Sequence, residues 1–197
     1  MRAPWLPATP RVLLRRVAMP PPDPHRPADA ARAGRVAALR IERLDPAVPS
    51  HAAALHALLD EYARGETGGG RPLEAEAMAR LPGLLAGRAH YVGLLAFDGE
   101  RPVGLANCFE GVSTFKARPL LNIHDLAVAA SHRGRGVGRR LLAEAESVAR
   151  ERGCCKLTLE ALEHNGGAIA LYRQVGFRAY ELTPAMGRAT FFEKWIR

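Results

Sequence analysis

The N-terminal part of the chain changes from a strand-like to a helix-like pattern of apolar positions. Residues 39–44 alternate apolar and polar side chains, as a half-buried strand does. A helix is then predicted from an N-cap at Ser50 to about Ala63. Its apolar face would consist of Leu55, Leu58, Leu59 and Tyr62. Gly68–Gly70 interrupts this pattern, and a second helix is predicted from about Leu73 to Leu85.

The rest of the chain alternates between strand and helix patterns. Two strands, Tyr91–Phe97 and Pro102–Phe109, flank the hairpin signal Asp98-Gly99. A loop at 111–119 precedes a strand at Leu120–Val128 and a helix at Val137–Arg152, with Gly153 as its C-cap. The remaining predicted elements are a strand at Cys155–Glu160, a helix from Asn165, and closing strands at Ala179–Thr183 and Thr190–Trp195. This order predicts an α/β fold with a mixed sheet and helices on both faces.

Length and composition narrow the class of protein. A chain of 197 residues predicts one domain with a sizeable core, and no run of eighteen or more apolar residues is present to span a membrane. The cysteines are Cys108, Cys154 and Cys155, an odd number with two adjacent. This argues against a disulfide framework and favours a reducing compartment, so a cytoplasmic location is expected. No Cys/His cluster has zinc spacing, and no metal is expected.

The net charge of +8 is concentrated near the N-terminus. Residues 1–40 hold eight arginines and two aspartates, and therefore six of the eight net charges. Segment 1–37 is also rich in proline and alanine, which predicts a disordered tail before a folded domain at 38–197. A dispensable tail, a targeting peptide and an upstream extension with Met19 as alternative start all stay open. Nucleic acid is not an expected partner of the domain, although binding of RNA or lipid by the tail stays open.

The strongest chemical signal lies between the predicted strand at 120–128 and the helix at 137–152. The segment reads Arg133-Gly-Arg-Gly-Val-Gly138. Glycines let backbone N–H groups approach a ligand, and the first helical turn leaves about four such groups without an internal partner. Together with the arginines, they predict a pyrophosphate site. Gly138 is followed by arginine rather than the Lys-Ser/Thr of a Walker A loop, and the glycine spacing is not that of a Rossmann fingerprint.

Two motifs identify a family resemblance. The glycine turn fits Arg/Gln-x-x-Gly-x-Gly/Ala through Arg133, Gly136 and Gly138. About thirty residues later the chain fits Asn-x-x-Ala-x-x-Leu-Tyr-x-x-x-Gly-Phe, through Asn165, Ala168, Leu171, Tyr172, Gly176 and Phe177. The chain therefore resembles the GCN5-related N-acetyltransferase (GNAT) family over roughly residues 38–197. The resemblance implies a mostly antiparallel mixed sheet, with a splayed strand pair that holds acetyl-CoA as co-substrate.

The resemblance also implies which residues bind acetyl-CoA. The backbone of the strand before the turn, at 125–128, would pair with the pantetheine arm and donate an N–H to the oxyanion. Asn165 would fix the arm where the strands part, in addition to capping its helix. The implied cofactor-binding residues are Leu126, Ala127, Val128, Arg133, Gly134, Arg135, Gly136, Val137, Gly138, Arg139, Asn165, Ala168 and Tyr172.

Two catalytic residues follow from the same resemblance. Tyr172 matches the tyrosine with which many members protonate the CoA thiolate, and a phenol of pKa about 10 still holds its proton at neutral pH, where it can be donated. A packing tyrosine is the alternative. His124 matches a histidine that arylalkylamine acetyltransferases use as a base through water. Strict alternation places His124 and Asn122 on one strand face and Asp125 on the other. Asp125 and solvent stay open as the base, whereas Asn122 cannot accept a proton.

The expected reaction is acetyl transfer from acetyl-CoA to a primary amine by direct attack in a ternary complex. The resemblance places the acceptor near 60–73 and 111–119. Asp60, Glu61, Glu66 and Glu110 are either attractors of a cationic small-molecule amine or ordinary solvated charges. The alternative functions are a protein N-terminal or lysine acetyltransferase and a non-catalytic acyl-CoA-binding module. Dimers are common among members of this family, so a homodimer stays open.

Overall fold

The computed structural model describes residues 39–181, 183, 185, 187 and 189–196. The predicted tail at 1–37 lies outside these residues. The strands are β1 (Leu39–Leu44), β2 (Tyr91–Asp98), β3 (Arg101–Ser113), β4 (Arg118–Val128) and β5 (Leu157–Leu159). The α-helices are α1 (Pro49–Arg64), α2 (Ala75–Ala86), α3 (Val137–Glu151) and α4 (Gly166–Gln174). None of these described helices has the length and apolar character needed to cross a bilayer.

The strands form one sheet in the order β1-β2-β3-β4-β5. The first four are antiparallel neighbours, whereas β5 pairs with β4 in parallel. The predicted hairpin is present, since Asp98 pairs with Arg101 around a two-residue turn in which Gly99 has φ 59°. This is the mixed, mostly antiparallel sheet that the sequence predicts.

A helix covers each face of the sheet. On one face, Leu141 and Val148 of α3 pack with Leu94 and Ile123 in a buried cluster. On the other face, leucines of α1 pack with Leu95 and Leu105. Both clusters consist almost wholly of aliphatic side chains, and their burial provides the main driving force for folding. The predicted arrangement of helices on both faces is confirmed.

The ends of the helices follow local rules. The prediction of Ser50 as N-cap of α1 is wrong, because the helix begins at Pro49, whose fixed φ suits the first helical position. The prediction of a glycine terminus for α3 is confirmed. Gly153 has φ 68°, its N–H donates to the Arg150 carbonyl, and the next N–H, of Cys154, donates to the Ala149 carbonyl. These two bonds form a Schellman motif.

Two predicted segments differ from the structure. The loop expected at 111–119 is mostly strand, because pairing continues through Val112 with Pro119 and Ser113 with Arg118. The closing strands expected at 179–183 and 190–195 do not form among the described residues of those segments. Phe192 and Trp195 are 86% and 82% exposed. An alternating pattern produces a strand only where a neighbouring strand offers its backbone groups, and the described residues there pair with none.

Candidate active site

The parallel strands β4 and β5 separate halfway along β4. They pair at Leu121–Leu157, Asn122–Thr158 and Ile123–Leu159. Strand β5 ends there, whereas β4 continues to Val128 and stays paired with β3 on its other edge. The backbone groups of 124–128 that point away from β3 therefore face a gap, where an extended ligand could pair with them as an added strand does. This is the geometry expected of the splayed strand pair.

The glycine turn lies at the open end of this gap. Gly134 and Gly136 have φ angles of 70° and 81°, a region that strongly favours glycine. Gly136 is the N-cap of α3, and no side chain caps that helix. The first N–H groups of α3 are therefore directed at the space beyond the turn, at the positive end of the helix dipole. Arg133 donates from Nε to the Val128 carbonyl at 3.2 Å, which fixes the turn against the end of β4.

Gly104 on β3 and Gly138 on α3 lie where neighbouring side chains leave little room for a Cβ. A Cβ at Gly104 would lie 2.7 Å from Val137, and one at Gly138 would lie 3.0 Å from the Leu171 side chain of α4. The absence of a side chain at Gly104 lets α3 lie close to β3, and its absence at Gly138 lets α3 lie close to α4. Arg139 adds a hydrogen bond to Gln174 at 2.7 Å. Gly138 and Arg139, which the sequence places in the phosphate turn, thus also connect α3 to α4.

Sequence reasoning missed the contacts that position the segment before the turn. His132 is buried, with Nδ1 2.9 Å from the Ser131 hydroxyl and Nε2 3.1 Å from the Asp98 carboxylate at the β2–β3 hairpin. Glu61 of α1 accepts the Ala130 N–H at 2.7 Å. The turn is thereby fixed to both the sheet and α1. A histidine and an aspartate 34 residues apart in sequence carry no local signal of this contact.

Helix α4 contributes the second motif to the other side of the gap. Asn165 is its N-cap and accepts the Ala168 N–H at 3.2 Å, which confirms the predicted capping role. At the other end, Gly176 has φ 97°, and the N–H groups of Gly176 and Phe177 donate to the Arg173 and Tyr172 carbonyls. This is a second Schellman motif, and its characteristic apolar contact joins Tyr172 to Phe177 at 5.9 Å between ring centroids.

The Tyr172 phenol is half-buried. Burial raises its pKa above the ordinary value of 10.0, and Tyr62 on α1 adds to the rise. The phenol therefore keeps its proton throughout the neutral range and is available as a proton donor.

A β-bulge changes the faces that His124 and Asp125 occupy. Asn107 on β3 pairs with Asp125 and the next residue, Cys108, pairs with Ile123, so His124 is the extra residue. The prediction that His124 and Asp125 lie on opposite faces of β4 is therefore wrong. Both side chains line one cavity, because the bulge resets the alternation after Ile123.

This cavity has a volume of about 350 Å³ and lies between α1, α2 and the sheet. Its lining residues are Leu59, Leu81, Leu84, Leu85, Arg88, His90, Asn107, Phe109, His124 and Asp125. The leucines and Phe109 form apolar walls. The rings of His90 and His124 flank Phe109 at centroid distances of 6.3 and 5.8 Å. Sequence reasoning missed Arg88, His90, Asn107 and Phe109, although an asparagine within the apolar run at 103–108 indicates a hydrogen-bonded buried group.

A buried hydrogen-bond chain ends at Asp125. The Tyr91 hydroxyl donates to Asn107 Oδ1 at 2.8 Å, and Asn107 Nδ2 donates to Asp125 Oδ2 at 2.9 Å. Asn107 is only 3% exposed, so its amide orientation is determined by these two partners. Burial raises the pKa of Tyr91 well above its ordinary value. Burial also raises the pKa of Cys108 to about 12, and the charge of Asp125 contributes.

The acidic residues that the sequence offered for an acceptor amine lie elsewhere. Asp60 forms an ion pair with Arg64 and accepts the Leu73 N–H, and the Arg64 hydrogen bond lowers the pKa of Asp60. Glu61 binds a backbone N–H, and Glu110 forms an ion pair with Arg152 at 3.0 Å. Asp60, Glu61, Glu66 and Glu110 are absent from the cavity lining. They are best explained as ordinary structural and surface charges.

Within the described part of the chain, no group of three or more His, Cys, Asp or Glu residues is arranged to hold a metal ion.

Comparison with known proteins places this geometry in a family. Residues 52–177 match the family described as the Acetyltransferase (GNAT) family. Streptothricin acetyltransferase of Streptomyces lavendulae is 41% identical over 85 residues, 43% of this chain and 45% of that protein. The N-alpha-acetyltransferase RimI of Mycobacterium tuberculosis is 40% identical over 91 residues, 45% of this chain and 52% of that protein. The matched segments thus span about half of these relatives.

Solved structures share the fold. An aminoglycoside acetyltransferase, meta-AAC0020 from an uncultured soil metagenomic sample, in complex with sisomicin, superimposes with a TM-score of 0.68. The superposition covers 82% of this chain and 99% of that one, at 18% sequence identity. At this identity the likeness extends to the fold alone.

Proposed function

The chain belongs to the acetyltransferase (GNAT) family, and on this basis we propose that it is an acetyl-CoA-dependent N-acetyltransferase. Its acceptor is a primary amine of a small molecule, and the amine attacks the thioester directly in a ternary complex. The observation that carries the proposal is the juxtaposition of two features at β4. The gap between β4 and β5 leads to the glycine turn on one side, and the cavity with His124 and Asp125 adjoins the same strand.

The gap and the turn suit the two parts of acetyl-CoA. The pantetheine arm has amide groups that can pair with the backbone of Leu126, Ala127 and Val128. The pyrophosphate suits the turn from Arg133 to Arg139, where backbone N–H groups and arginines provide complementary charge. Asn165 and Ala168, at the start of α4, contact acetyl-CoA from the other side of the gap.

The cavity suits a small amine. Asp125 supplies a negative charge, which attracts an ammonium group, and the leucines with Phe109 supply apolar contacts. The name of the Streptomyces relative, an acetyltransferase for streptothricin, is in keeping with a small-molecule acceptor.

Each catalytic task has a candidate group. His124 accepts a proton from the amine, either directly or through one water molecule. As the C–N bond forms and the C–S bond breaks, a backbone N–H within 125–128 stabilises the oxyanion. Tyr172 then donates its proton to the departing thiolate, and its raised pKa keeps that proton available at neutral pH. Asp125, next to His124, orients the amine.

A thiol-release assay tests the proposal. Purified protein is mixed with acetyl-CoA and a panel of small primary amines, and in parallel with peptides that offer a free N-terminus or a lysine. We expect CoA release with at least one small amine and a mass increase of one acetyl group on that amine. Release only with peptides would contradict the small-molecule acceptor, and acetyl-CoA binding without release in any mixture would indicate a non-catalytic module.

A further inference from the structure

The candidate acceptor cavity is lined by two residues of opposite charge, Arg88 and Asp125, that form no ion pair with any described residue. We propose that the acceptor is zwitterionic: an amino acid whose ammonium group lies at Asp125 and whose carboxylate lies at Arg88. This inference rests on the proposed function, since it names the class of amine that the cavity selects.

Arg88 is the positive pole of the cavity. Arg43, Arg64, Arg150 and Arg152 each form an ion pair with a glutamate or aspartate. Arg88 forms no ion pair with a described acidic residue, and this exposed arginine lines the same cavity as Asp125. The Arg88 guanidinium and the Asp125 carboxylate lie more than 4.0 Å apart, so they do not pair with each other. A planar guanidinium without a partner is well suited to a carboxylate.

Asp125 is the opposite pole. Its described side-chain partner is the neutral amide of Asn107, which is itself held by buried Tyr91. The chain of hydrogen bonds fixes the carboxylate without neutralising it. A fixed and unneutralised carboxylate is a binding group for an ammonium ion, and its position beside His124 places that ion next to the candidate base.

The wall between the two poles is apolar. Leu81, Leu84 and Leu85 of α2 line it, together with Leu59 and Phe109. A hydrocarbon stem between an amine and a carboxylate would lie against these side chains. The two charged ends of one ligand would then satisfy both protein charges, whereas a simple amine would leave Arg88 unpaired.

The test compares each amino acid with its own methyl ester, which keeps the amine and removes the negative charge. The acceptors are apolar L-α-amino acids and unbranched ω-amino acids, and CoA release gives kcat/KM for each member of each pair. For the best acceptor, we expect the free acid to exceed the ester by about 10- to 100-fold, the effect of one charge-assisted hydrogen-bonded pair.

The matched variants are Arg88→Met and Arg80→Gln. Arg80 lies on α2, eight residues before Arg88, but it pairs with Glu76 and does not line the cavity. Arg88→Met is expected to reduce the acid-to-ester ratio to about one, while Arg80→Gln keeps the ratio. A wild-type ratio near one, or a ratio unchanged by Arg88→Met, overturns the inference alone. If no member of either series releases CoA while another small amine of the panel does, the inference fails and the proposed function stands; if no amine of any kind releases CoA, the proposed function itself is contradicted.

Discussion

The two sides of β4 are built in different ways. On the proposed cofactor side, the turn from Arg133 to Gly138 is continuous in sequence, and its conformation follows from the left-handed glycines and the start of α3. On the proposed acceptor side, the cavity combines residues from α1, α2, β3 and β4 and the segment between α2 and β2. A continuous turn can be recognised in a sequence, whereas a cavity assembled by tertiary packing cannot. Binding of the cofactor is therefore easier to predict than the choice of acceptor.

The largest effect should come from a substitution that disrupts only the proposed acetyl-CoA site. Gly136→Glu places a side chain and a negative charge at the N-terminus of α3, where the pyrophosphate is expected. We expect acetyl-CoA affinity, measured by calorimetry, to fall by at least about 100-fold, since both charge and space are lost.

Gly153→Glu is the matched control, because Gly153 has φ 68° at the opposite end of the same helix. Both variants should lose about 1–2 kcal/mol of stability from the left-handed backbone. Only Gly136→Glu should lose acetyl-CoA binding. Equal affinity in the two variants would contradict the assignment of the turn to phosphate.

The next largest effect concerns the proposed proton donor. Tyr172→Phe removes the proposed proton donor but keeps the ring contact with Phe177. We expect kcat to fall by about 100-fold, a usual size for the loss of acid–base catalysis, with acetyl-CoA affinity unchanged. Tyr180→Phe, at a tyrosine that is 59% exposed, is the control. An unchanged kcat in Tyr172→Phe would make Tyr172 a packing residue only.

A smaller effect should be confined to the binding of the acceptor in the cavity. Asn107→Ala breaks the chain from Tyr91 to Asp125 and leaves the carboxylate without its positioning partner. We expect the KM for the acceptor to rise about tenfold, and the variant to lose about 1–3 kcal/mol of stability. The affinity for acetyl-CoA should stay unchanged.

Asn122→Ala serves as the comparison for that variant. It removes a hydrogen bond of the same kind, from Asn122 to the Thr158 hydroxyl at 3.1 Å, at a residue outside the cavity lining. Its acceptor KM should match the wild-type value. If both variants raise KM equally, the effect comes from general loosening of the sheet and not from Asp125.

The smallest effect concerns stability at alkaline pH. Burial raises the pKa of Cys108 from 9.0 to about 12, so the unfolded chain releases this proton at lower pH than the folded protein. The free energy of unfolding should therefore fall between about pH 9 and 12, by up to about 1.4 kcal/mol per pH unit from this thiol. Cys108→Ala should make this part of the curve less steep in denaturant titrations. An equal slope in wild type and Cys108→Ala would refute this source of pH dependence.

The contrast between the two sides also explains which predictions from sequence were right. The sheet, the hairpin at Gly99 and the helix ends at Gly153 and Asn165 follow from local patterns, and all are confirmed. The faces of His124 and Asp125 were predicted wrongly, because the bulge arises from the pairing of β4 with a distant strand. Arg88 could not be predicted from the sequence as a site residue, because the role of an isolated arginine becomes clear only when its neighbours in space are known.

The most direct test of the central claim is a calorimetric comparison of acetyl-CoA with S-acetylpantetheine, which keeps the arm and lacks the nucleotide and its phosphates. If the arm lies in the gap at β4 and the pyrophosphate lies on the glycine turn, acetyl-CoA should bind with one-to-one stoichiometry. It should also bind at least about 100-fold more tightly than S-acetylpantetheine, because charge-assisted hydrogen bonds to phosphate are lost with the truncated ligand. Equal affinity for the two ligands, or no binding of acetyl-CoA, would contradict the account.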